Sequence, residues 1–127
     1  MEIREMIVVI IVLISTVGVV AAILGAESYR SSAYTVDLIA RAPERGNWYP
    51  KHITVPVGEK VTMRIRNVDT VSHGLALPAF DVAVPEIKAG HVKVIEFTPD
   101  RKGTFPFMCT VWCSNHHMDM TGELTVE

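Results

Sequence analysis

Residues 6–26 run for 21 positions without a charged side chain, and Ile and Val dominate them. In hydrocarbon such a segment must satisfy every backbone N–H and C=O internally, which a helix does. At ~1.5 Å per residue that helix is roughly 31 Å long, against a bilayer core of about 30 Å. The run outlasts the apolar core of a secretory signal. Leu24-Gly25-Ala26 also puts a large residue where a signal-cleavage site needs a small one. The expectation is an uncleaved transmembrane anchor over residues 1–26. Arg4 is flanked by Glu2 and Glu5, so the excess of basic residues that orients most anchors is weak here.

Residues 27–33 are short, polar and Ser-containing, and read as a linker. From residue 34 the hydrophobic period switches to two. Strands are predicted at 34–40, 52–57, 60–66, 74–77, 80–84, 91–97, 104–109 and 121–126. Turns fall at Gly58-Glu59, from Asn67 to Asp69, at Lys88-Ala-Gly90 and from Pro99 to Gly103. Pro56 marks an edge or a bend. Short strands at regular spacing, with no further helix, predict an all-β Greek-key sandwich over residues 34–127.

The 12 basic and 14 acidic residues leave a net charge of −2. That balance offers no basic footprint for nucleic acid. No Ser-His-Asp set, catalytic carboxylate pair or Gly-rich phosphate loop is visible. Substrate chemistry is not expected of this chain alone.

The chemistry gathers in Cys109-Thr-Val-Trp-Cys113-Ser-Asn-His-His117-Met-Asp-Met120, with His73 far upstream in Val71-Ser72-His73-Gly74. Thiolate, imidazole and thioether are soft donors and favour copper over magnesium, calcium or manganese. A one-copper blue site uses one cysteine, two histidines and a weak axial methionine. The second cysteine lets two thiolates bridge two coppers. Each copper then takes one imidazole, from His73 or His117. Each also takes a weak axial donor: the Met120 sulfur on one, and a loop carbonyl, that of Val111, on the other. Two thiolates and two imidazoles also suit zinc, but zinc has no use for Met120. A plain Cys109–Cys113 disulfide would leave His117 and Met120 unexplained.

This run, with Val71-Ser72-His73-Gly74 and Trp48-Tyr49-Pro50 ahead of Ile53-Thr-Val-Pro-Val-Gly58, resembles the copper A cupredoxin domain of cytochrome c oxidase subunit II. A single membrane helix resembles the form found in B-type heme-copper oxidases. The resemblance covers residues 34–127. It implies a cupredoxin sandwich holding two copper ions in a dinuclear copper A centre, with heme only in a partner subunit. It implies an electron-transfer subunit that does no catalysis itself, fed by cytochrome c or a similar small redox protein. The implied partners are the heme-bearing multi-helix subunit I of a terminal oxidase and the lipid membrane, with no nucleic acid. The N-terminus would be cytoplasmic and the sandwich on the outer or periplasmic face of the cell membrane.

Three positions depart from the family pattern. Val111 stands where an acid or amide is usual, so its carbonyl role remains without a carboxylate for an intersubunit magnesium ion. Ser114 replaces a glycine. Thr70 occupies the place of an acid three residues before the first histidine, with Asp69 adjacent. Such a branch could serve a nitric oxide reductase. A free-standing anchored cupredoxin that shuttles electrons or delivers copper is the other alternative.

Among the remaining residues, His116 is expected to be exposed, and Met118 to pack or lie at the surface. Met108 is expected in the core. His52 and His91 have no ligand spacing. Trp48 and Tyr49 fit either packing or an aromatic route for electrons, and Trp112 fits a docking face or subunit interface.

Overall fold

The apolar run forms a single helix. The computed structural model describes residues 2–31 and 34–127, and α1 spans Ile3–Ser31. Its stretch Ile3–Glu27 is long and apolar enough to cross a membrane, and none of its most apolar window is buried within the chain. Ser15 and Thr16 do not break it. The Ser15 hydroxyl donates to the Val12 carbonyl at 2.9 Å. The Thr16 hydroxyl reaches Val12 at 3.0 Å and Leu13 at 2.9 Å. Both hydroxyls are thus satisfied on their own helix, as an apolar surrounding requires. The helix continues through residues 27–31, where the composition suggested a linker. Polarity there marks a change of surroundings, and no Gly or Pro is present to stop the helix. Residues 32 and 33 of that expected linker lie outside the described residues.

The second compact unit is Ala33–Glu127. Its strands are β1 (Tyr34–Ala40), β2 (His52–Val55), β3 (Val61–Asn67), β4 (His73–Leu77), β5 (Val82–Ile87), β6 (Val92–Phe97), β7 (Gly103–Met108) and β8 (Thr121–Val126). They form a three-stranded sheet in the order β1-β3-β6 and a five-stranded sheet in the order β2-β8-β7-β4-β5. β1 runs parallel to β3 and β2 parallel to β8, while the other pairs are antiparallel. The predicted sandwich is present. Three single 3-10 turns, Pro43–Arg45, Pro78–Phe80 and His117–Asp119, add helical backbone that strand periodicity did not announce.

Alternation explains the core. Val36, Leu38 and Ala40 of β1 are buried, as are Val61, Met63 and Ile65 of β3 and Leu124 and Val126 of β8. Trp48 packs edge-on against Phe107 with ring centroids 5.8 Å apart. Phe107 and Cys109 share the inward parity of the β7 segment. Met108 therefore points to the other face and is only half-buried, not in the core as expected. Thr104 and Pro106 share its parity and are exposed, so alternation sends Met108 out.

One polar residue closes the inward row of β3. Asn67 is fully buried, and its Nδ2 donates to the carbonyls of Val71 and Ile87, each at 2.8 Å. Its Oδ1 accepts from the Asp69 N–H at 2.9 Å. This Asx turn fixes the path from β3 into β4. Asn67→Ala strands one buried and one half-buried carbonyl and a buried N–H, with an expected cost of about 2–4 kcal/mol in urea unfolding. The exposed Asp37–Arg64 pair makes the control, because Asp37→Ala should leave the unfolding midpoint nearly unchanged.

Candidate metal centre

Two neighbouring strands deliver the donors. β4 begins at His73, and β7 ends just before Cys109. The strands pair at Ala76 and Met108. β7 and β8 form a hairpin in register down to Met108 opposite Thr121, and residues 109–120 are the loop between them. The Cys109 N–H donates to the Met120 carbonyl at 3.0 Å, so both ends of the loop start from one fixed point. The 3-10 turn His117–Asp119 then swings Met120 back under the loop.

All six residues singled out from the sequence meet here. Cys109 Sγ lies 3.7 Å from His73 Nδ1 and 3.3 Å from the Val111 carbonyl oxygen. Cys113 Sγ lies 3.5 Å from His117 Nδ1 and 3.6 Å from Met120 Sδ. Each sulfur thus has one imidazole and one weaker donor. The donor atoms of His73, Cys109 and Cys113 all lie within 4.8 Å of one another. Both cysteines are buried free thiols. Ligands about 2.0–2.3 Å from a shared metal stand roughly 3.3–4.5 Å apart, and the four distances from the two sulfurs to their neighbours fall in that range. The donors are two sulfurs that can ionise, two imidazoles, a thioether and a carbonyl, which fits a soft metal such as copper.

Burial sets the protonation. Cys113 is pushed up to about 11, first by burial and then by the adjacent Cys109 sulfur. Without a metal its proton stays on at neutral pH. His73 is fully buried, and burial lowers its pKa despite Asp69 beside it. Asp69 is pushed upward by its own burial. That push is outweighed by the N–H groups of Ala42 and Thr70, by His73 and by Arg45, so its carboxyl ends below the usual range.

The surrounding residues were only partly foreseen. His73 Nε2 lies 3.2 Å from Asp69 Oδ2, a contact one residue away from the acid position that the family pattern pointed to. The local signal was Asn67-x-Asp69, an Asx turn that aims Asp69 inward. Trp48 is buried, and its indole N–H donates to the Met120 carbonyl at 3.2 Å. This resolves the earlier alternative for Trp48 in favour of packing, while Tyr49 is exposed. Asn47 Nδ2 holds the Asp119 carbonyl at 2.9 Å. Trp112 is 70% exposed, its ring 6.0 Å from that of His117. His116 faces Asp119 at 3.5 Å on the surface, and Met118 is exposed. Of the histidines without ligand spacing, His52 pairs with Glu123 on the surface and His91 is exposed.

A two-sheet β-sandwich with sulfur and imidazole donors on the loop between its last two strands defines a cupredoxin-type metal domain. The chain belongs to the cupredoxin-like domain family, whose pattern it matches over residues 10–126. It is 29% identical to cytochrome c oxidase subunit 2 of Thermus thermophilus over 94 residues, which are 74% of this chain and 66% of that protein. It is 34% identical to nitrous-oxide reductase of Stutzerimonas stutzeri over 80 residues, 61% of this chain. That match spans only 12% of the reductase. Among solved structures, the periplasmic domain of cytochrome oxidase subunit II from Bradyrhizobium japonicum superposes with a TM-score of 0.64 at 19% identity. The superposition covers 76% of this chain and 85% of that domain.

Gly74, directly after His73, lets the β7–β8 loop close down on β4. A Cβ there would clash with Thr110 Oγ1 and meet the Pro85 carbonyl at 3.0 Å and Val111 Cγ2 at 3.1 Å. Gly74→Ala is expected to lose about 1–3 kcal/mol through this overpacking. Thr110→Ala, which removes the nearest atom, should recover part of the loss in a double-variant unfolding cycle.

Proposed function

We propose that this chain is the membrane-anchored, electron-accepting subunit of a heme-copper terminal oxidase. In this reading α1 anchors the chain in the cell membrane with the N-terminus cytoplasmic, and residues 34–127 lie on the outer face. His73, Cys109, Cys113, His117, Met120 and the Val111 carbonyl hold two copper ions as a dinuclear copper A centre. Copper bound there would supply a one-electron couple. The chain takes electrons from cytochrome c or a similar small redox protein and passes them to heme in the multi-helix catalytic subunit. It performs no substrate chemistry of its own.

The observation that carries this reading is the pairing at the loop: two buried thiols, each with its own imidazole and its own weak donor. A blue one-copper site needs only one such thiol. The protein's part is to keep these donors fixed. The hairpin register, the Met120 carbonyl bonds and the fully buried His73 leave little room for ligand motion when the charge changes. The relatedness to oxidase subunit 2 supports the oxidase assignment. The nitrous-oxide reductase match supports a domain type used by more than one respiratory enzyme. A free-standing carrier is the second reading, and it predicts no stable heme-bearing partner on purification.

The test is copper content and electron spin resonance of the full chain in detergent, loaded with copper. The expected result is two coppers per chain, with hyperfine splitting shared by both nuclei. Cys113→Ser should cut copper to one per chain at most and abolish the sharing. Met120→Leu should retain both coppers and raise the reduction potential, because a weak axial donor is lost. One copper with single-nucleus splitting in the unaltered chain would refute the dinuclear reading.

A further inference from the structure

Behind the His73 ring lies a buried carboxylate that the metal reading does not itself use. The Asp69 side chain is 2% exposed, and four donors converge on its two oxygens. Oδ2 accepts the Ala42 N–H at 2.7 Å and faces His73 Nε2 at 3.2 Å. Oδ1 accepts the Thr70 N–H at 2.7 Å and pairs with Arg45 Nη2 at 3.0 Å. An ionised carboxylate only accepts hydrogen bonds, so the ring nitrogen facing it must be the donor. That places the His73 proton on Nε2 and turns the Nδ1 lone pair toward Cys109 Sγ.

Arg45 comes from another part of the chain, the 3-10 turn Pro43–Arg45. It grips two neighbours at once, because Nη1 also donates to the Thr70 hydroxyl at 3.3 Å. Ala42, the residue before that turn, supplies one of the N–H bonds to Asp69. The turn is therefore docked onto the 69–70 segment through the carboxylate. A buried charge needs a partner, and Arg45 provides it from the surface side. Arg45 is itself 49% exposed, so its charge is screened more than that of Asp69.

We propose that Asp69 and Arg45 are positioning residues of the metal centre: Asp69 fixes His73 as the Nε2–H form with Nδ1 free for metal, and Arg45 locks and electrically balances Asp69. The proposal rests on the reading that His73 binds metal. Partners behind a ligating histidine orient its ring and tune the metal. The two charges act on the couple with opposite sign. The negative charge stabilises the oxidised metal, and the positive charge stabilises the reduced metal.

Two measurements on the full chain in detergent separate this proposal from the copper reading. The first needs no metal. Long-range proton–nitrogen-15 correlation at pH 8 should show metal-free His73 wholly protonated on Nε2, with that proton protected from solvent exchange. Asp69→Asn should abolish the protection, because either orientation of the amide sets its NH₂ against two donors. A His73 protonated on Nδ1, or protection surviving in Asp69→Asn, overturns the positioning role whether or not copper binds. The second uses the copper-loaded chain. Asp69→Asn should raise the reduction potential, and Arg45→Gln should lower it by a smaller amount. Arg45→Lys should restore the value lost in Arg45→Gln. Shifts of the same sign in both variants, or none in Arg45→Gln, overturn the charge-balancing role. Arg45 is half-exposed and Asp69 keeps its other three donors in the Arg45 variants, so these decide that point even if Asp69→Asn does not fold.

Discussion

One carbonyl organises the candidate centre. The Met120 oxygen accepts from the Cys109 N–H at the base of the loop and from the buried Trp48 indole. These two bonds tie together Cys109 and Met120, the two ends of the loop, and attach both to the β1–β2 connection. Closing a loop of this length costs only a few kcal/mol of chain entropy. The β7–β8 register has already met most of that cost. The 3-10 turn His117–Asp119 then has only to place one imidazole and one thioether beside Cys113. The geometry of the loop is thus set by the hydrogen bonds of the sandwich that holds it.

The second constraint is electrostatic. His73, Asp69 and Asn67 are buried polar residues in an otherwise apolar core. Among the described residues, no buried side-chain nitrogen or oxygen lacks a hydrogen-bond partner. Each bond in this column has a structural consequence. Asn67 sets the turn, the turn aims Asp69, and Asp69 meets His73. The thiols follow a different rule. Burial keeps the proton on Cys113, because an isolated thiolate would be a buried charge without a counter-charge. A metal cation brings that counter-charge with it and releases the proton as it binds. Cys113 can therefore hold its proton on its own and would offer ionised sulfur to a metal that displaces it.

The strands and the run of soft donors were legible in the sequence because both depend on short-range pattern. Period-two alternation located β1 and β8 to the residue, since each has one buried face and a clear turn at its end. The candidate donors stood out because soft side chains are rare and these cluster within one loop. Long-range contacts were harder to read. Arg45 and Asp69 meet through a 3-10 turn whose docking depends on the whole sandwich. Trp48 could not be assigned from its local surroundings, because its partner carbonyl lies 72 residues away. Met108 was misplaced because alternation gives the parity of a strand but not which of its faces a second sheet covers. The extent of α1 was underestimated for a related reason: polarity shows where a helix leaves hydrocarbon, not where it ends.

The two imidazoles of the candidate centre sit in opposite surroundings, and this asymmetry bears on how an electron carrier of the proposed kind would work. His73 is sealed in the core and held from behind by a saturated carboxylate. His117 is only partly buried and lies beside the exposed Trp112 ring. An outer-face carrier needs its metal close to the surface on one side, so that a partner can approach, and rigid on the other, so that ligands do not move with each electron. A fully exposed centre would let water reorganise at every transfer, and a fully buried one would put the partner too far away. With His73 and Asp69 behind, from β4 and the connection leading into it, and His117 and Trp112 in front, from the β7–β8 loop, the candidate centre has one sealed side and one side near the surface. The same division tells which residues can vary with the partner. Trp112, His116 and Met118 can change without disturbing the sandwich, whereas His73, Gly74 and Asp69 are fixed by what they are packed against.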